Sequence, residues 1–234
     1  MQAVAGLGTA CVVAPTTPQS GASHAMSDRT PLRVTCQSAA GAHEAYAVDG
    51  RPADCVRIGL CHYLPGADWV LSGINAGGNL GVDVYYSGTV GAVREAAILG
   101  RPAVAVSQYI RDPARLDWDR SAGWAAHVIR QILQTTPRPS LFWNINLPQP
   151  DGGQPPAGIR LVPLAIEPHE LAYQRHDAPD QVSVFHYRGR YQERPRPHGS
   201  DVDVVFDGFI SVTPMGLDVS ATGGPWPGFT PPPR

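Results

Sequence analysis

The sequence predicts an α/β protein: a three-layer α/β/α sandwich with a mainly parallel sheet and a β-rich C-terminal arm. Three observations carry this. The apolar run Trp69-Val70-Leu71 is followed by a long glycine-bearing loop, a helical pattern with Val90, Val93 and Ala97 on one face, and a second apolar run from Ala103 to Val106. This is a β-loop-α-β unit. Over 117–134, Ala125, Val128, Ile129, Ile132 and Leu133 recur at helical spacing and form an apolar stripe that faces a sheet. Beyond Pro148 the composition turns to Gly, Pro and Gln and then to short β-rich runs. The chain divides into an α/β core over 1–148, a β-rich arm with core completion over 149–221, and a Pro/Gly-rich tail over 222–234.

Residues 1–10 read as the tail of a helix, and Ala10 to Ala14 as a strand entering a loop at Pro15. That loop runs to Ser27 and contains Ser20, followed by Gly21 and Ser23; His24 is a loop histidine with no assigned role. Leu32 to Val34 and Ala45 to Val48 read as short strands. Pro52-Ala53-Asp54 opens a helix through Leu60, with Asp54 placed early enough to favour the positive end of the helix dipole. After Leu71 the loop carries glycines at 73, 77, 78 and 81, with Asn75 and Asn79 between them. Asp83 reads as a solvated turn acid and Glu95 as a helical residue that pairs locally. Ser87-Gly88-Thr89 leads into the helix, and Gly100 and Pro102 stop it.

Asp117 caps the next helix and Pro137 bars its continuation. Leu141 to Leu147 alternates as a strand with Asn144 and Asn146 on one face, in a structural part. Leu161 to Ile166 and Gln181 to Tyr187 read as strands separated by a charged segment. The stretch 188–199 is basic and contains proline. Asp201 and Asp203 alternate with valines, as an edge strand would, and Phe209 to Thr213 is β-rich. The end, 222–234, reads as an extended or disordered tail.

The chain has 234 residues and a formal charge of -2, which argues against a nucleic-acid polymer or an anionic membrane as partner. All 18 basic residues are arginine, so any phosphate clamp here must use arginine. No apolar run approaches the ~20 residues that span a bilayer, and no signal peptide is apparent, which places the protein in the cytoplasm. Cys11, Cys36, Cys55 and Cys61 lack zinc-type spacing and read as small buried thiols of a reducing compartment.

The loop between Gly73 and Thr89 lies at the carboxyl end of its strand, where open α/β sheets bind ligands. Glycines let backbone N–H groups converge, and the helix start after Ser87-Gly88-Thr89 adds partial positive charge. Together they suit an oxyanion such as phosphate, while Asn75 offers an amide oxygen to a hard divalent cation. The same glycines and asparagines also suit plain turn building, and spacing alone leaves the two readings even.

The run SGINAGGNLGVDVYYSGTVGA resembles the signature of the SurE family, the metal-dependent nucleotidases named after survival protein E. VVAPTTPQSGASHAMS, GRPADCV, WNINLP and GSDVDVVFDGFISVTPM resemble further segments of that family in the same order, so the resemblance covers about residues 11–221. It implies a Rossmann-like sheet and phosphomonoester hydrolysis of nucleoside 5′- or 3′-monophosphates with magnesium or manganese. Ser20 and Asn75 would be metal ligands, and Asn79, Ser87, Gly88 and Thr89 would hold the phosphoryl oxygens. The region around 167–199 would be an arm exchanged between subunits of a homodimer or homotetramer.

Two departures are modest: Thr16 stands where the family has an acidic residue, and Arg51 where it has threonine. A third is larger. Family members begin with a strand that ends in an Asn-Asp-Asp-Gly loop, whose two aspartates bind the metal. That run is absent here, and no acidic residue precedes Asp28. The expectation is a start codon upstream of Met1, because loss of a central strand would leave unpaired backbone on both sides of a gap. The alternative is a catalytically impaired relative that serves as an oligomeric binding or scaffold protein.

Overall fold

The computed structural model describes residues 1–138, 140–168, 171–179 and 182–220. The tail expected over 222–234 and the strand start at Gln181 lie outside these residues. The glycine-loop unit forms β4 (Val70–Ala76), α2 (Gly88–Ile98) and β5 (Ala103–Gln108). β5 runs parallel between β4 and β6 (Leu141–Leu147). β10 (Ile210–Gly216) lies antiparallel to β6, and β7 (Ile159–Leu161) lies parallel to β10 at the outer edge.

Alternation along these strands builds two cores. Ala103, Ala105 and Phe142 face α2, whereas Val104, Val106, Ile145 and Leu147 face α3 (Trp118–Leu133). All six residues of β5 are buried, as a parallel strand covered on both faces must be. Val128, Ile129 and Ile132 of α3 are almost fully buried, each contributing about 1.5–3 kcal/mol. Asp117 caps α3 by accepting from the Arg120 N–H at 3.1 Å.

A second sheet has the order β1 (Val12–Pro15), β3 (Ala45–Val48), β2 (Val34–Gln37), with β1 parallel and β2 antiparallel to β3. α1 (Pro52–Ile58) packs on β1 and abuts α2, which in turn covers β4. Among the described residues, β1 and β4 are therefore edge strands of separate sheets, each with one open side.

Several expectations are corrected. Residues 1–10 make a 3-10 turn, Gln2–Val4, that tucks Ala3 and Leu7 against the α3-side core, rather than the end of a regular helix. β2 begins where the strand Leu32 to Val34 was expected to end. The strand expected over Leu161 to Ile166 ends at Leu161, and the segment between the arm strands itself contains β8 (Tyr173–Ala178). Asp201 and Asp203 lie in a helix, α4 (Asp201–Phe206), and not in an edge strand. Ser200 Oγ accepts the Asp203 N–H, and Asp203 accepts from the Gly199 N–H at 2.8 Å, so polar capping overrides the valine alternation. β8 and β9 (Val182–Tyr187) form an antiparallel hairpin that carries exposed Tyr173, Val182, Phe185 and Tyr187.

The four cysteines are free, but Cys36 and Cys61 are exposed, contrary to the expectation of buried thiols. Cys55 is buried in α1, and burial, with Asp54 adjacent, pushes its thiol up to about 12. A thiol-specific reagent at about pH 8 should label Cys36 and Cys61 rapidly in the native protein, because only a thiolate attacks. Cys55 should react only after denaturation. Native labelling of Cys55 at the rate of Cys36 would contradict this packing.

Candidate active site

The site is built at the carboxyl ends of β4, β5 and β6. β4 continues past Leu71 through Asn75, with its register against β5 shifting between Ser72 and Asn75 and a cis peptide at Gly73–Ile74. Gly73 sits at φ +122°, and a Cβ there would collide with the Val106 carbonyl oxygen, so this close approach of β4 and β5 requires glycine. Asn75 is half-buried at the end of β4. Its Nδ2 donates to the Gly77 carbonyl at 2.9 Å, which leaves Oδ1 as the free acceptor.

Asn79 is held on every side. Its N–H donates to Asn146 Oδ1 at 2.8 Å, and its carbonyl accepts from Asn144 Nδ2 at 2.9 Å and Asn146 Nδ2 at 3.1 Å. Its own Nδ2 donates to Ser107 Oγ at 2.7 Å. Asn79 is 7% exposed, and these bonds fix it against the sheet. Further along the loop, Asp201 accepts from the Gly81 and Ala165 N–H groups at 2.7 and 2.8 Å. Burial holds the Asp201 carboxyl above the usual range, although three backbone N–H groups and Arg194 pull the other way.

Asp83, expected to be a solvated turn acid, is instead largely buried and chelated by Arg194 at 2.5 and 3.2 Å, with Tyr191 Oη donating to it at 2.8 Å. Burial, reinforced by Asp83, raises the Tyr191 phenol far above its ordinary range, so it stays a donor. The basic stretch after the hairpin thereby grips the glycine loop.

Ser87 caps α2: its Oγ accepts the Val90 N–H at 3.1 Å, and its own N–H donates to the Asp83 carbonyl. The first-turn N–H groups of Gly88 and Thr89 have no intrahelical acceptor, and Thr89 is partly open to solvent. The Ser20 loop packs against this helix end, with the Gln19 carbonyl and Ala22 beside Gly88. Ser20 itself is exposed. The structure thus brings Ser20 to the α2 start that carries Ser87, Gly88 and Thr89. Asn75 and Asn79 stand at the neighbouring strand ends, and no hydrogen bond joins either to Ser20.

Glu95 does not pair locally. It faces His24 Nε2 and Arg57 Nε, each at 2.6 Å, across separations of 71 and 38 residues. Sequence reasoning missed this trio and the Asp83–Tyr191–Arg194 cluster, since neither leaves a local spacing signal.

The model of the Survival protein SurE family matches residues 1–168. The chain belongs to the SurE family. Among its relatives, a putative 5′-nucleotidase of Synechocystis sp. is 42% identical, the match covering 87% of this chain and 86% of that protein. The 5′-nucleotidase SurE of Paramagnetospirillum magneticum is 41% identical over 89% of this chain and 79% of its own length. The crystal structure of the SurE protein from Aquifex aeolicus superposes with a TM-score of 0.81 at 30% identity, covering 94% of this chain and 87% of that one. The SurE fold is therefore present through the β6–β10 region as well as in the glycine loop.

A divalent cation does not fit the donors present. Ser20 offers a hydroxyl and Asn75 an amide oxygen, and both are neutral. Among the described residues no group of three or more His, Cys, Asp or Glu side chains is arranged to hold a metal. Magnesium and manganese give up hydration water for carboxylates far more readily than for neutral oxygens. Asp83 and Asp201 are committed to Arg194, Tyr191 and backbone N–H groups. Calorimetry of this chain with manganese should show no stoichiometric binding at millimolar metal. Tight one-to-one binding would mean that other acids complete a site.

Proposed function

We propose that this SurE-family protein acts on phosphomonoesters, with nucleoside 5′- or 3′-monophosphates as the substrate class. The observation that carries the reading is the α2 N-terminus. The first-turn N–H groups of Gly88 and Thr89 have no intrahelical acceptor there, and the partly open Thr89 adds a hydroxyl. Such an array suits the oxygens of a phosphoryl group. The 5′-nucleotidase names of the similar proteins support the same substrate class. Asn79 contributes by pinning the glycine loop to β5 and β6, its buried amide nitrogen being bonded to Ser107 Oγ. Magnesium or manganese is the cation this family reading brings with it. Ser20 and Asn75 are the two oxygens that reading assigns to it, and both are neutral.

That charge deficit favours one second reading, a relative that binds phosphate without turning it over. Release of inorganic phosphate from a nucleoside monophosphate at millimolar manganese decides between them. Turnover supports the nucleotidase; phosphate binding without release supports the binding protein. In either case Thr89→Ala removes one donor. It should slow hydrolysis by on the order of 100-fold where hydrolysis occurs, and it should weaken inorganic phosphate binding where it does not. Wild-type behaviour of this variant would move the phosphate site elsewhere.

The exposed hairpin supports assembly into a homodimer or homotetramer. A lone two-stranded hairpin is marginal in water. β8–β9 nevertheless exposes Tyr173, Val182, Val184, Phe185 and Tyr187, the kind of apolar edge that pairs with another chain. Light scattering after size exclusion should give a mass of two or four chains. A protein that stays monomeric at tens of micromolar would refute the assembly.

A further inference from the structure

The loop that carries Ser20 has little regular structure of its own, yet it lies tightly along α2. Ser23 sits at φ +53°, its N–H donates to the Tyr86 carbonyl at 3.0 Å, and its hydroxyl donates to the Tyr85 carbonyl at 2.6 Å. A Cβ at Gly91 would collide with the Ser23 carbonyl oxygen, so the helix needs glycine where the loop crosses it. One residue later His24 reaches down the helix to Glu95. That carboxylate is 2% exposed and lies two turns beyond the N-terminus. Arg57 Nε of α1 holds its other oxygen at 2.6 Å. A carboxylate can only accept, so the His24 proton resides on Nε2. At the far end of the loop, Ser27 donates through its N–H and hydroxyl to Asp54 of α1, at 2.8 and 2.9 Å.

We propose that His24, fastened to Glu95 and Arg57, is the positioning residue that holds the Ser20 loop against the N-terminus of α2. In doing so it sets how well that helix end binds a phosphate. The proposal rests on the phosphate site described above. His24 itself does not meet the phosphate, because its Nε2 is turned along the helix away from the N–H groups of Gly88 and Thr89. Its influence passes through Ser23 and Ala22 to the wall of the site beside Gly88. A buried carboxylate is a strong anchor for such a hook, since Arg57 already compensates its charge and the pair stays in place whether or not the loop is bound.

The test compares His24→Leu with His24→Gln. Loss of the imidazole leaves Glu95 paired with Arg57, so the leucine variant keeps its fold, and glutamine restores a side-chain N–H that can reach the carboxylate. Amide hydrogen exchange reads the loop directly. In His24→Leu the Ser23 N–H should exchange faster while the α2 interior is unchanged, and His24→Gln should recover most of the protection. Titration with inorganic phosphate reads the consequence. Binding should weaken about tenfold in the leucine variant, the worth of roughly one net hydrogen bond, and much less in the glutamine variant. Unchanged Ser23 exchange would overturn the clasp, and faster exchange with unchanged phosphate affinity would overturn its positioning role. If the wild-type protein does not bind phosphate, the phosphate reading fails and takes the positioning role with it, and the exchange comparison still decides the clasp.

Discussion

The structure depends on pairing the backbone of one loop that runs inside the protein. Between Asn79 and Asp83 the chain leaves the sheet, and Asn79, Leu80 and Gly81 are buried. A buried N–H or carbonyl without a partner costs about 1–3 kcal/mol. Here the partners come from all parts of the molecule. For the backbone, β6 lends Asn144 and Asn146, α4 lends Asp201, and the stretch after the hairpin lends Tyr191 and Arg194, while β5 lends Ser107 to the Asn79 side chain. Each is polar and largely buried, and each would be a liability without the loop. The loop and its partners therefore stabilise one another, and the core around them cannot form around a different loop path.

The second constraint is the break in the sheet. β5 is buried along its whole length, whereas β1 and β4 are half-exposed along most of theirs. A parallel strand covered by helices is apolar on both faces because water has no access to either, and Val12, Val13, Val70 and Leu71 have that character. α1 packs on β1, α2 packs on β4, and the two helices pack on one another between the sheets. The Glu95–Arg57 pair joins these two helices, so the ion pair that anchors His24 also ties the two sheets together.

Legibility followed the range of the interaction. α3 was readable because its stripe and its Asp117 cap are local, and β5 and β6 because a buried strand writes its burial into consecutive residues. α4 had a local signature too: Ser200 is an N-cap that accepts the Asp203 N–H, and it outweighs the alternation of valines that suggested a strand. Asp83 was misread because its partners lie 108 and 111 residues away. Glu95 was misread for the same reason. In the candidate site, the Ser87 cap and the glycines were visible, while the threefold hold on Asn79 was not. An asparagine in a turn and one that pins a loop to a sheet have the same sequence neighbours.

The arginines show what kind of phosphate site this chain can offer. Arg57 is committed to Glu95, Arg194 to Asp83, and Arg94 to the Val84 carbonyl, with burial lowering the Arg94 pKa. These cations hold the framework around α2; none of these bonds directs a guanidinium at its N-terminus. Attraction for a phosphate then comes from N–H groups and the helix dipole. Those terms are worth about 0.3–1 kcal/mol when exposed and more when partly buried. Dipoles act at short range and depend on orientation, unlike a full charge that tolerates an ångström of play. A site built from them is only as good as the walls that aim them. That is why the Ser20 loop, Gly88 and Gly91 matter more to such a site than their modest chemistry suggests.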